Sequence, residues 1–300
     1  MTIQHSLFDL PEESTANTEI DDIGKVVNVA SVPMRSPFRY AGGKTWLVPY
    51  VRMWLRERGG KEKQLIEPFA GGGIISLTAI FEQFVKQVTL VELDEDVAAV
   101  WQVITSGDAK WLADQIINFD LTAENARAVI GKANQSLQER AFATIVKNRV
   151  NRGGILAEGA SFVRLGENGK GIQSRWYPAT LKRRIMEIDQ LRAKIKFIHG
   201  NAFEILSLNQ ARTDALYFID PPYVKAGGRL YRYATIDHLA LFEQAARLVG
   251  DFLMTYDDHP EIQEMAKGYG FDIRLVAMKN THHAQKSELL IGRDLCWLKL

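Results

Sequence analysis

Residues 64–73 read QLIEPFAGGG, and IISLTAIFEQF follows at 74–84. A short apolar run that ends in glycines and gives way to a longer apolar stretch predicts strand, tight turn and helix. Glycine permits the sharp turn and lets the backbone come close to a ligand. The helix start then offers N–H groups without intrahelical partners. QVTLVELDED at 87–96 is a second strand with acids at its end. Its Glu92 stands where a carboxylate suits the vicinal hydroxyls of a ribose. Phe69-Ala70-Gly71-Gly72-Gly73 together with Glu92 therefore indicate a nucleoside-bearing cofactor.

Two rival loops come into question. A nicotinamide enzyme places a third glycine where Ser76 stands, a departure the crossing helix tolerates. AGGKT at 41–45 resembles the end of a phosphate-binding loop, but that motif needs a glycine where Phe38 stands. The segment also precedes the first clear strand rather than following it.

Further along, DVAAVWQVITSG continues as helix, and helical patterns fill roughly residues 108–150. An irregular glycine-rich stretch leads to a helix over about 178–193 and the strand KIKFIHGN. ALYFIDPPY is an apolar strand stopped by prolines. After a loop come the helix IDHLALFEQAARLVG, the strand DFLMTY, the helix PEIQEMAKGYG and the strands FDIRLVAMKN and SELLIGR. Strands and helices alternate on both sides of residues 105–195, which predicts an α/β fold with a parallel sheet and a helical insertion. The expected division is an acidic, loosely attached arm at 1–35, a catalytic domain of 36–104 and 196–300, and an insertion at 105–195.

The net charge of +1 is unevenly spread. Residues 141–196 hold twelve basic and four acidic side chains, a balance of +8, whereas residues 1–35 hold two basic and six acidic. So strong a local excess predicts a surface facing a polyanion, although KRRIMEIDQLRAKIK also has the character of a solvated mixed-charge helix face. No stretch approaches a membrane span, and the first residues lack the basic start and apolar run of a signal peptide. The single cysteine, Cys296, excludes an internal disulfide framework and a cysteine-rich zinc site. A soluble protein of the reducing cytoplasm, without a metal, is expected.

Asp220-Pro221-Pro222-Tyr223 follows the strand ALYFI. Adjacent prolines remove two backbone donors and stiffen the turn, leaving carbonyl acceptors beside a carboxylate and an aromatic ring. An exocyclic amine on a base suits this cluster. Its lone pair is delocalised into the ring, and accepting its two N–H bonds at Asp220 and the Pro221 carbonyl favours a pyramidal, nucleophilic nitrogen. Tyr223 can stack on the base, and Asp220 tolerates the positive charge that develops. A strand merely ended by prolines, with a surface tyrosine, is the plainer alternative.

FRYAGGK (38–44), EPFAGGG (67–73), VELDED (91–96), DPPY (220–223) and SELLI (287–291) occur in the order seen in the Dam-like, D12-class adenine-specific DNA methyltransferases, and the chain resembles that family over roughly residues 36–295. The resemblance implies a Rossmann-like methyltransferase sheet with an inserted, mainly helical target-recognition domain. It implies S-adenosyl-L-methionine as cofactor and methyl transfer to N6 of adenine in double-stranded DNA. Tyr40, Lys44, Phe69 and Asp220 would lie against the cofactor, with Gly71 and Gly73 lining its methionine end. Glu92 would hold the ribose, with Asp94 as the alternative. Asn201 and Phe203 fall where the family often has an Asp-Phe pair near the cofactor adenine. Asp220, Pro221, Pro222 and Tyr223 would be catalytic.

The amino group lies inside the duplex, so the base must be flipped out. Lys147, Arg149, Asn151, Arg152 and Arg175 in the basic segment, and Lys225, Arg229 and Arg232 after the catalytic loop, are the candidate DNA contacts. Arginine suits guanine and phosphate, asparagine suits adenine. In the arm, Gln4-His5-Ser6-Leu7-Phe8 resembles the short peptides that dock bacterial DNA enzymes on the replicative sliding clamp. A monomer is expected from the family. Alternatives are cytosine N4 or an RNA base as the methyl acceptor, or a DNA-binding relative without turnover.

Overall fold

The computed structural model describes residues 32–39, 42–157, 159–223, 235–279 and 285–298. Seven strands form one sheet: β1 (Gln64–Glu67), β2 (Gln87–Glu92), β3 (Ile195–His199), β4 (Ala215–Ile219), β5 (Asp251–Asp257), β6 (Asp272–Lys279) and β7 (Gln285–Gly292). Their order is β3-β2-β1-β4-β5-β7-β6. Strands β1 to β5 run parallel, and β7 inserts antiparallel between β5 and β6.

The sheet alternates as period-two geometry requires. Leu216 and Phe218 of β4 join one apolar cluster, while Tyr217 and Ile219 join the other. Every residue of β4 is buried, as expected of a central strand covered on both faces. The first cluster lies under α1 (Val48–Glu57) and α3 (Glu95–Ser106); the second lies under α8 (Ala202–Asn209), α9 (His238–Arg247) and α10 (Pro260–Gly268). Helix α2 (Ile74–Phe81) follows β1 and is almost wholly buried.

Between α3 and β3 the chain adds α4 (Ala109–Asn118), α5 (Ala123–Ile130), α6 (Leu137–Val150) and α7 (Pro178–Gln190). Local chemistry fixes their starts. Thr122 caps α5, Ser136 and Glu139 form a reciprocal capping box on α6, and proline opens α7. Leu112, Ile116, Ile145, Val146, Leu181 and Ile185 share the first cluster with Trp101 and Ile104 of α3. These helices therefore extend one core rather than enclosing a separate one. The expected boundary at residue 105 falls inside α3. Among the described residues no helix is long and apolar enough to cross a membrane.

The chain steps from β1 to β2 on one side of the sheet and to β4 on the other. This change of direction opens a crevice at the carboxyl ends of β1 and β4, where open α/β sheets bind ligands. The segments after β1, β2 and β4 all emerge there. Because β7 is reversed, its first half reaches that same edge, with Glu288 opposite Asp257 of β5.

Candidate active site

The glycine turn is shaped by one tryptophan. Gly73 has φ +61°, and a Cβ on it would stand 2.9 Å from Cζ2 of Trp101. That residue cannot carry a side chain without moving the ring. Trp101 Nε1 in turn donates to the Gly71 carbonyl at 2.9 Å. The Gly71 N–H points the other way, to Glu92 Oε2 at 2.9 Å, while Leu93 and Asp94 each donate their N–H to Glu92 Oε1 at 2.8 Å. Burial pushes the Glu92 carboxyl up to about 7 against the pull of these donors. Asp94, the alternative ribose ligand, also borders the cavity, and its Oδ1 accepts from the N–H groups of Asp96 and Val97 and caps α3.

Beneath the turn, Glu67 is buried and accepts the Ser76 N–H at 3.0 Å. Burial, reinforced by the charge of Asp220, pushes its carboxyl up to about 8. Across the loop, Ser36 Oγ donates to the Gly72 carbonyl at 2.5 Å. Asn201 Oδ1 accepts the Phe203 N–H at 2.8 Å and caps α8. Glycine turn, Glu67, Glu92, Asn201 and Phe203 line one cavity of about 830 Å³, which Lys44, Asp220 and Pro222 also border. A strand-end carboxylate, a side-chain-free turn and a neighbouring aromatic ring form a donor set that fits a nucleoside with a short charged tail.

At the far end stands a pinned carboxylate. Thr255 of β5 donates its hydroxyl to Asp220 Oδ1 at 2.6 Å, and Lys44 Nζ lies 3.1 Å from the same oxygen. Among the described residues Asp220 Oδ2 has no hydrogen-bond partner. Lys44 is only 5% exposed; it donates to the Gly42 carbonyl at 3.1 Å and pairs with Asp220 Oδ1 and, at 3.5 Å, Glu288 Oε2. Burial works against its charge, but the two carboxylates prevail and hold its pKa above the ordinary lysine value.

Tyr223 donates its hydroxyl to Glu288 Oε2 at 2.9 Å and packs on the Tyr256 ring with centroids 6.0 Å apart. Lys44 Nζ sits 4.7 Å from the centre of its ring. Pro221 is buried and Tyr223 half-buried beside the cavity-bordering Asp220 and Pro222. Burial pushes the Tyr223 hydroxyl well up.

The basic segment departs from expectation in two places. Arg149 and Asn151 are 4% and 2% exposed and are withdrawn from any surface contact. Arg149 Nη2 donates to the Pro37 carbonyl at 2.5 Å, and Asn151 Nδ2 to the Ile155 carbonyl at 2.8 Å. They were expected outside because their chemistry is polar; they lie inside because loop carbonyls need their donors. Asn148 does the same, bonding both the N–H and the C=O of Arg39 and the Gly154 carbonyl. Lys147 faces Asp96 at 4.0 Å. Arg152 is exposed beside Gly153–Ala157, which border the cavity. Arg175 is half-buried, and its neighbour Trp176 packs on Phe119. Tyr40, Lys225, Arg229, Arg232 and the Gln4–Phe8 peptide lie outside the described residues.

Four contributors to the site have no role in the sequence reading: Ser36 and Thr255 lie in no motif, and Glu67 and Glu288 lie inside EPFAGGG and SELLI without being singled out.

Fold, crevice and acceptor loop together define an S-adenosyl-L-methionine-dependent methyltransferase. The family model of the D12 class N6 adenine-specific DNA methyltransferases matches residues 40–273, and the chain belongs to that family. No curated protein sequence matches the chain. Solved structures share its general outline. A candidate RNA methyltransferase from Pyrococcus horikoshii is 11% identical, with 90% of this chain and 92% of that one covered and a TM-score of 0.39. A candidate methyltransferase from Escherichia coli is 12% identical, with 82% and 83% covered and a TM-score of 0.36. A precorrin-6y C5,15-methyltransferase from Geobacter metallireducens is 10% identical, with 81% and 86% covered and a TM-score of 0.32. At such scores these likenesses carry no weight, and the family assignment rests on the sequence match.

Proposed function

We propose that the protein methylates N6 of an adenine flipped out of double-stranded DNA. The observation that carries this reading is Asp220: one oxygen is pinned by Thr255 and Lys44, and the other has no partner among the described residues, at the border of the cavity. Bound S-adenosyl-L-methionine supplies an electrophilic methyl group on a sulfonium. Glu92 accepts the ribose hydroxyls, the turn at Gly71 and Gly73 gives room to the methionine end, and Asn201 and Phe203 border the adenine.

Asp220 Oδ2 and the Pro221 carbonyl accept the two amino protons of the target base. This frees the nitrogen lone pair for in-line attack and stabilises the positive charge that grows on nitrogen. Tyr223 gives the acceptor loop an aromatic wall for the base, while Lys44 stays with the two carboxylates. A proton then leaves the methylated nitrogen through Asp220. Residues 105–195 serve as the target-recognition region, with Arg152 at the cavity rim holding phosphate or base.

The test uses genomic DNA lacking adenine methylation, S-adenosyl-L-methionine and the purified protein, with digestion to nucleosides and mass spectrometry beside an Asp220→Ala control. N6-methyladenine that vanishes in the control is the expected result. N4-methylcytosine in the same digest, or methylation of RNA alone, would replace the substrate. A blank digest despite cofactor binding would favour a DNA-binding protein without turnover.

A further inference from the structure

A buried carboxylate in an apolar strand is costly unless it is paired. Glu288, 8% exposed on β7, is paired twice, and both partners belong to the acceptor end of the cavity: the Tyr223 hydroxyl at 2.9 Å and Lys44 Nζ at 3.5 Å. Only a strand running against its neighbours brings a side chain from its own first half to the edge where β4 ends. The reversal of β7 does this.

Lys44 shows what the second carboxylate is for. An ammonium has three donors, and here it bonds the Gly42 carbonyl and forms ion pairs with Asp220 and Glu288. Without Glu288 the ammonium keeps Asp220 as its one carboxylate partner among the described residues, the same group that the substrate amine needs. Two carboxylates around one ammonium also leave a net negative charge where methyl transfer places a cation on nitrogen. At the same time the Tyr223 hydroxyl is held at a fixed point while Tyr256 packs on its ring.

We propose that Glu288 is a positioning residue for methyl transfer, fixing Lys44 and Tyr223 around Asp220 so that one oxygen of Asp220 stays open to the substrate amine. The inference rests on the adenine-methylation reading above. Glu288→Gln keeps an acceptor for Tyr223 and removes the charge that shares Lys44; Glu288→Ala removes both.

The experiment is single-turnover methyl transfer to adenine-unmethylated genomic DNA by the full chain. Cofactor affinity is measured by calorimetry for wild type, Glu288→Gln, Glu288→Ala, Lys44→Met and the Lys44→Met/Glu288→Gln pair. The expected rate constant of Glu288→Gln is lower by on the order of 10- to 100-fold, with cofactor affinity within about twofold of wild type, well inside one tenfold step of affinity. The double variant is expected to be no slower than Lys44→Met alone, because Glu288 acts through the lysine. A purely structural role would lower affinity and melting temperature together and would leave the two rate losses multiplicative. Either of those results, or an unchanged rate in Glu288→Gln, overturns the inference. Wild-type protein that forms no N6-methyladenine overturns the parent reading, and this is seen before any variant is compared.

Discussion

The hydroxyl of Thr255 donates to Asp220 Oδ1 at 2.6 Å across the β4–β5 pair, so the Asp220 carboxylate is held from the neighbouring strand as well as by its own loop. Thr255 is fully buried and cannot exchange this bond for water. Hydrogen bonds to charged groups are worth roughly 1.5–3 kcal/mol. Thr255→Val, nearly the same shape without the hydroxyl, is expected to lower the methyl-transfer rate constant by about tenfold or more. Cofactor affinity measured by calorimetry should stay put. A rate equal to wild type would show that the proline turn alone orients Asp220.

Glu67 makes stability depend on pH in a direction opposite to the usual carboxylate. Its folded-state pKa is raised from 4.5 to about 8, so between those values the folded chain keeps a proton that the unfolded chain has lost. The stabilisation from Glu67 is complete below about pH 4.5 and is lost as pH rises through about 8. The slope it adds is at most about 1.4 kcal/mol per pH unit. Glu67→Gln, neutral at every pH, is expected to flatten the curve of denaturant midpoint against pH between 5 and 8. A variant as steep as wild type would place the effect in another group.

Glu92 applies the same logic to the cofactor. Its carboxyl is pushed up to about 7, and on the proposal that Glu92 holds the ribose, the hydroxyls would be accepted by the ionised form. The dissociation constant for S-adenosyl-L-methionine is therefore expected to rise as pH falls below 7, by at most about tenfold per unit. Glu92→Gln should bind more weakly at pH 8 and show little change between 8 and 6. Calorimetry at three pH values in buffers of equal ionic strength decides it.

Arg149 and Arg152, three residues apart, separate by opposite readouts. Arg149 is buried against the Pro37 carbonyl, so Arg149→Ala strands that acceptor at a cost of roughly 1–3 kcal/mol. Its melting temperature is expected to drop by several degrees. Arg152 is exposed, and Arg152→Ala is expected to leave the melt unchanged while reducing the salt dependence of DNA binding by about one charge. If Arg149→Ala melts like wild type and loses DNA affinity instead, the guanidinium turns outward on binding.

What was legible in the sequence was what is local. QLIEPFAGGG encodes strand, turn and helix within a few residues, because glycines and an apolar run suffice to specify them. ALYFIDPPY likewise announces a fully buried strand with an acceptor loop at its end, and the structure buries each of its five strand residues. The contacts of Glu288 and Thr255 depend on strand order and register, which no short pattern records. In DFLMTY a threonine that aims at a carboxylate is indistinguishable from one that merely favours β geometry. Arg149 and Asn151 misled for a different reason. Residue type predicts exposure on average, but the Ile155 carbonyl after the turn at Gly153 and Gly154 takes its donor from Asn151, and the distant Pro37 carbonyl takes one from Arg149.

The reversal of β7 also orders events in time. A ribosome releases Lys44 early and Glu288 only after most of the chain has emerged, so the two cannot meet until the hairpin of β6 and β7 has closed beside β5. Long-range strand pairing of this kind is a late step in folding. A nascent chain can thus shape its crevice from β1, β2 and α3 while its lysine still lacks a second counter-charge, which arrives last.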